Sequence, residues 1–268
     1  MNRRHLALAA AFALAVSLTV AACGGGSEGT DGAPQLPPRA DGGVYLALGD
    51  SVAAGSGASD PASTSYVALV AAALQPRFAN ALQVRSLAEA GDTTADLIAD
   101  QLPVAVTALR EGDVRLVTIT IGGNDLAQYG AHPACVADPA DAACPLENGL
   151  LEVEQRLAQI LGELTSELPE AEPSAVIVIQ LYPNLFSGTG HELTMQAEAA
   201  FGLLNGVIAG VAARFDVRLA DPRRDFAGSG IRLTHLLDRP PDAHPNDEGY
   251  GLIAMAFLKA LGVDDEEG

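Results

Sequence analysis

Apolar residues along this chain fall into two alternating patterns. Short continuous runs form the first: Val44–Leu48 (VYLAL), halted by Gly49-Asp50, and the weaker Leu82–Leu87 (LQVRSL). Arg115–Ile121 (RLVTITI) stops at Gly122-Gly123, Ala175–Leu181 (AVIVIQL) stops at Tyr182-Pro183-Asn184, and Val217–Ala220 is the last. Short runs bounded by turn residues read as buried strands. Because they are continuous rather than alternating, both faces of each strand must be covered, which predicts a parallel sheet. The second pattern has helical spacing. It includes Tyr66, Leu69, Val70 and Ala73, then Leu150, Val153, Leu157, Ile160, Leu161 and Leu164. Phe201, Leu204, Ile208, Val211 and Phe215 repeat it, as do Tyr250, Ile253, Ala254, Phe257, Leu258 and Leu261. Thr93–Leu109 also reads as helical, but Pro103 must kink or restart it. Five strands alternating with helices predict one three-layer α/β domain, a five-stranded parallel sheet with helices on both faces. Sites in such sheets lie at the carboxyl ends of the strands, near the topological switch point.

Two stretches stand outside these patterns. Asn2-Arg3-Arg4-His5 precedes seventeen uncharged residues, Leu6–Ala22, and then Cys23. A basic start, a short apolar run and small residues before a cut site describe a secretory signal peptide. A spanning helix would need roughly 20 apolar residues and a polar stop. Val20-Ala21-Ala22-Cys23 resembles the lipobox of bacterial lipoproteins. The resemblance implies removal of residues 1–22 and acylation of the Cys23 thiol, giving an extracytoplasmic protein lipid-anchored to a bacterial cell membrane. Residues 24–43 are Gly, Pro and acid with one Leu, too poor in apolar surface to fold, so 23–43 is expected to be a lipidated tether. The folded body then runs from 44 to 263, followed by an acidic tail at 264–268.

Composition narrows the function. The chain has 268 residues, 49% of them hydrophobic, with 15 basic and 34 acidic side chains and a net charge of −19. Loss of residues 1–22 removes Arg3 and Arg4 and no acid, which takes the charge to −21. So acidic a surface lacks the basic footprint of a nucleic-acid binder and repels anionic head groups. Outside the cytoplasm, Cys135 and Cys144 are expected to form a disulfide. Metal binding is the rival, but two thiols with only His132 nearby fall short of the four ligands of structural zinc, so no metal site is assigned.

Unusual polar residues follow the strands. The first runs into Gly49-Asp50-Ser51, where Ser51 is either a helix cap or a nucleophile at a tight turn. The second is followed by Ala88-Glu89-Ala90-Gly91-Asp92-Thr93, with Asp92 or Thr93 suited to cap a helix. The third ends in Gly122-Gly123-Asn124-Asp125, where Asn124 is either a cap or a neutral donor. His244-Pro245-Asn246 opens the final helix, behind the stiff approach Arg239-Pro240-Pro241-Asp242-Ala243.

Ser51, Gly91, Asn124 and His244 occur in that order, within Gly-Asp-Ser, Gly, Gly-x-Asn-Asp and His-Pro-Asn blocks. This resembles the SGNH hydrolase superfamily, the GDSL esterases and lipases, over the whole body. The resemblance implies a flavodoxin-like sheet and a serine ester hydrolase that needs no cofactor. It implies that Ser51 attacks the ester, that His244 is general base and then acid, and that the Ser51 N–H, Gly91 N–H and Asn124 amide form the oxyanion hole. The α/β-hydrolase elbow would read G-x-S-x-G, and Ser51 is instead followed by Val52-Ala53.

One position departs from the family. Its last block carries Asp three residues before the His, and here Pro241 stands there. Asp242, two before His244, is the first choice for the acid that holds Nδ1. A backbone carbonyl near Pro241 and the remote Asp238 are the others. The expected partners are a small ester or lipid-like substrate and, through the anchor, a membrane. Lysophospholipase, short-chain carboxylesterase and polysaccharide O-deacetylase all remain open, and the alternative class is a non-catalytic binding lipoprotein. Pro183–Glu192 and Arg223–Asp238 are expected to shape the pocket. Phe186, Phe226 and Leu236-Leu237 are either acyl-pocket lining or core.

Overall fold

A computed structural model describes residues 42–130, 135, 143–168, 175–188 and 192–263. The expectations for the signal peptide, Cys23, the tether as far as residue 41, His132 and the acidic tail lie outside the described residues, and Gly43, expected to end the tether, is the first residue of a strand.

The described residues open with β1 (Gly43–Gly49), a short turn of helix α1 (Ser51–Ala54), α2 (Tyr66–Leu74) and β2 (Leu82–Ser86). Next come α3 (Leu102–Glu111), β3 (Val114–Thr120), α4 (Gly123–Gly130), α5 (Leu146–Ser166) and β4 (Val176–Gln180). The chain continues through α6 (Glu192–Arg214), β5 (Arg218–Ala220), the small hairpin β6 (Thr234–His235) and β7 (Asp242–Pro245), and α7 (Asp247–Ala260). The five main strands lie parallel in the order β2-β1-β3-β4-β5. That is the flavodoxin-like doubly wound order, and its switch point lies between β1 and β3. Each strand matches its apolar run to within a residue or two at either end.

Alternation within β1 accounts for the three layers. Tyr45 and Ala47 face a core made with α2 and α7, where Tyr66 and Phe257 stack with ring centroids 4.7 Å apart. Leu46 and Leu48 face the opposite core, made with α3, α5 and α6. All of these residues are fully buried, and each large apolar side chain so placed contributes about 1.5–3 kcal/mol. Phe226 belongs to the first core at zero exposure, which settles it as packing rather than pocket lining; Leu237 is 66% exposed.

Pro103 restarts a helix, with an intervening π turn. Thr93 caps a short turn, Thr94–Asp96, in a capping box with Asp96, and five π-helical residues, Leu97–Gln101, then lead into α3 with Pro103 in its first turn. Near its start the proline's missing N–H costs no helical bond. The wider π turn re-aims side chains, as such bulges often do at functional sites. The sulfurs of Cys135 and Cys144 are bonded. Closing so short a loop contributes about 2–3 kcal/mol by the chain-entropy estimate.

Candidate active site

The end of β1 is held from two sides. Gly49 has φ +133°, and a Cβ there would collide with the Thr120 carbonyl of β3, so only glycine lets the two strands run this close. The Asp50 N–H donates to Thr120 O at 2.9 Å. On the other side, Gln101 uses its amide as a peptide would: Oε1 accepts the Gly49 N–H and Nε2 donates to Gly49 O, both at 2.8 Å. Nε2 also reaches Asp92 Oδ2 at 2.7 Å. The π turn is thus what delivers Gln101 to the strand end.

Asp50 is the residue that caps α1. Its Oδ1 accepts the Val52 N–H at 2.9 Å, and its Oδ2 accepts the Tyr182 hydroxyl at 2.6 Å. Burial pushes the Asp50 pKa up to about 6, against the pull of those two donors. With Asp50 as cap, Ser51 becomes the first residue of the helix and its hydroxyl is released for other work. Ser51 Oγ lies 2.8 Å from His244 Nε2.

His244 stands on β7, whose extended backbone explains how a two-residue spacing reaches the imidazole. In a strand, residues i and i+2 project to the same side. Asp242 Oδ1 therefore meets His244 Nδ1 at 2.6 Å and also accepts the His244 N–H at 3.0 Å. Since a carboxylate only accepts, Nδ1 carries the proton and Nε2 is left to accept from the Ser51 hydroxyl. Partial burial raises the Asp242 pKa, but the backbone N–H, imidazole and charge of His244 outweigh it and hold the carboxyl below its ordinary value. Pro245 closes the strand, and Asn246 then caps α7, its Oδ1 accepting the Gly249 N–H at 3.0 Å.

The carboxyl ends of β2 and β3 meet beside this relay. Gly91, at φ +96°, sits exposed at the turn after β2, and Asn124 lies in the first turn of α4. Asn124 Nδ2 donates to the Asp92 carbonyl at 2.8 Å, which ties the Gly91 turn to the end of β3. Asn124 is no helix cap, since α4 begins at Gly123. Asp125 receives the Thr94 N–H at 2.9 Å and the Thr94 hydroxyl at 2.6 Å, fastening the same two strand ends from beneath. Asp238 pairs with His235 at 2.7 Å, not with His244. Among the described residues no group of three or more His, Cys, Asp or Glu is placed to hold a metal ion.

Gln101, Tyr182 and Asp125 support this site through partners that the sequence does not announce. Gln101 is separated by 52 positions from the glycine it pairs with, and Tyr182 by 132 from Asp50, so no local spacing announces either contact. Asp125 was visible as the last letter of Gly-x-Asn-Asp, but its partner Thr94 was not. The arrangement offers a hydroxyl, a base oriented by an acid and adjacent amide donors, the parts needed for acyl transfer.

Similar proteins carry the same chemistry in their names. A lipase from Streptomyces rimosus is 28% identical over 274 residues, spanning 92% of this chain and 97% of that protein. The crystal structure of the extracellular lipase from the same organism superposes with a TM-score of 0.60 at 26% identity, over 82% of this chain and 98% of that one. A phospholipase A1 from Streptomyces albidoflavus NA297 matches with a TM-score of 0.60 at 25% identity, over 82% and 98%. The model of the GDSL-like lipase/acylhydrolase family matches residues 47–252, from the middle of β1 to the first turns of α7. With four blocks in order, the doubly wound sheet and a family match over most of its length, the chain belongs to the GDSL-like lipase/acylhydrolase family and is a carboxylic ester hydrolase.

Proposed function

We propose that this protein is a lipid-anchored, extracytoplasmic serine esterase acting on lipid-like esters. The observation that carries it is the unbroken relay from Asp242 through His244 to Ser51, with contacts of 2.6 and 2.8 Å. Ser51 Oγ attacks the ester carbonyl while its proton passes to His244 Nε2, and Asp242 steadies the imidazolium that forms. The Ser51 N–H, the Gly91 N–H and Asn124 Nδ2 receive the developing oxyanion; one such donor is worth about 10²–10³ in turnover. His244 returns the proton to the leaving alcohol, which departs and leaves an acyl-Ser51 ester. Water, deprotonated by His244, then hydrolyses that ester and restores the hydroxyl. No step draws on a metal or organic cofactor.

The lipid-like substrate class is supported by the relatives at 25% identity or more, which are named lipase and phospholipase A1. A series of p-nitrophenyl esters of increasing chain length tests it. Rates that climb beyond the acetyl ester support the assignment; a preference for acetyl alone moves it to a deacetylase.

The tether rests on the signal-like run, the Cys23 lipobox and the polar 24–43 stretch, and the named extracellular location of the S. rimosus lipase is consistent with export. Residues 44–263 form the hydrolase body in this scheme, between the anchor segment and the acidic tail at 264–268. Among the described residues no helix is long and apolar enough to cross a membrane. Cys23→Ser is expected to release or mislocalise the protein while esterase activity is retained. Fractionation that finds the variant still fully membrane-bound with its N-terminal segment attached would replace the lipid anchor with a spanning one.

A further inference from the structure

A second imidazole stands beside the first. His235 occupies the β6 position directly across from Asp242 on β7. Its Nδ1 lies 2.7 Å from Asp238 Oδ2, and its Nε2 lies 2.8 Å from the carbonyl oxygen of Gly57. Both partners accept, and a neutral imidazole has one N–H to give. Only the imidazolium satisfies both contacts at once.

The Gly57 carbonyl belongs to the loop that leaves α1, so the clamp ties the segment following Ser51 to the hairpin that carries His244. Two further bonds secure that loop. The Ser56 N–H donates to Ser51 O at 2.9 Å, and the Tyr250 hydroxyl donates to Ser56 O at 2.6 Å. The fit is close: a Cβ on Gly57, whose φ is +86°, would lie 2.7 Å from Pro245 O and 2.8 Å from His244 Cβ. A loop pressed this tightly against His244 fixes where the imidazole sits relative to Ser51. The charged groups acting on His235 are Asp238 from the hairpin turn, Asp242 from β7 and Asp247 from the start of α7, and His235 and His244 both border Gly57.

We propose that His235 is a positioning residue, an imidazolium clamp between Asp238 and the Gly57 carbonyl that sets the Ser51–His244 geometry; this rests on the roles of Ser51, His244 and Asp242 proposed above. The Asp238 hydrogen bond, then the Gly57 carbonyl, raise the His235 pKa above its ordinary value despite partial burial, and the nearby carboxylates add to the rise. A raised pKa means the clamp is fully formed at low pH and is lost as pH climbs through that value. The clamp's contribution to activity is therefore full at low pH and falls as pH climbs through the His235 value.

The test is the pH dependence of kcat and KM on p-nitrophenyl butyrate for the full-length wild type, Asp238→Asn and His235→Gln. Asp238 is exposed, so its isosteric amide preserves the fold while removing the charge. The alkaline limb of Asp238→Asn is expected to fall by about half a pH unit or more. In His235→Gln, kcat is expected to drop about tenfold with KM little changed, as misplacement of a base does, and the alkaline limb should vanish. Superimposable alkaline limbs for wild type and Asp238→Asn, or an unchanged kcat in His235→Gln, would overturn the clamp. Fluorophosphonate labelling of wild-type Ser51 separates the two layers. A labelled Ser51 with unshifted limbs removes only the clamp, whereas an unlabelled wild type removes the catalytic assignment and the clamp with it.

Discussion

Ser51→Ala is expected to reduce kcat on an activated ester by at least about 10³-fold, and His244→Ala by a similar amount, because nucleophile and base act as one unit. The two losses should not add. Once the hydroxyl is gone the imidazole has no proton to take, so the double variant should sit close to either single one. In the proposed mechanism, what survives is the contribution of the amide donors at Gly91 and Asn124, which stabilise charge without forming a bond. Circular dichroism should find both variants folded, since Ser51 and His244 are partly exposed and neither belongs to the two cores. Steady-state kinetics on one p-nitrophenyl ester checks the prediction; a Ser51→Ala variant within tenfold of wild type would rule out covalent catalysis at this hydroxyl.

Asp242→Ala is expected to have the next largest effect, a loss above roughly a hundredfold in kcat/KM, or more than about 2.7 kcal/mol of transition-state stabilisation. Asp242 Oδ1 is the acceptor found at His244 Nδ1, and it also holds the residue's backbone N–H. Removing it frees the ring to take the wrong tautomer and withdraws the charge that steadies the imidazolium, a defect that can reach about 10⁴. A folded Asp242→Ala enzyme keeping a tenth or more of wild-type activity would leave a Ser51–His244 dyad, with Nδ1 held by the main chain.

Much of the fold was legible because burial on both faces writes continuous apolar runs into a parallel strand. Alternation with helices implies a three-layer parallel arrangement, the family resemblance implies the flavodoxin-like sheet, and the β1–β3 switch point puts Gly49-Asp50-Ser51 and Gly122-Gly123-Asn124 side by side. Local ambiguities were decided by competition for single roles. Ser51 was readable as cap or nucleophile, and the neighbouring Asp50 carboxylate took the cap. Pro103 was readable as kink or restart, and a π turn before it allowed the restart.

The remaining contacts depend on chain segments that approach only in the folded state. No spacing in the sequence tells that Gln101 will pair with the backbone of Gly49, or that Gly57 will press on His244. The displaced acid is the clearest case. Asp242 looked one residue out of place against the family pattern, because that pattern is stated as a spacing and not as a conformation. Once β7 is known to be extended, a gap of two residues puts both side chains on one face and the anomaly disappears. His235 is hidden in the sequence for the same reason. It lies within a stretch expected to shape the pocket, but its value depends on a carbonyl 178 positions away.

The central claim is that Ser51 is an activated nucleophile, and covalent trapping tests it most directly. Wild-type protein treated with a fluorophosphonate and mapped by peptide mass spectrometry should carry one adduct per chain, on Ser51. His244→Ala under the same conditions should label far more slowly. No adduct on the wild type, or an adduct on another residue with Ser51 untouched, would contradict the account.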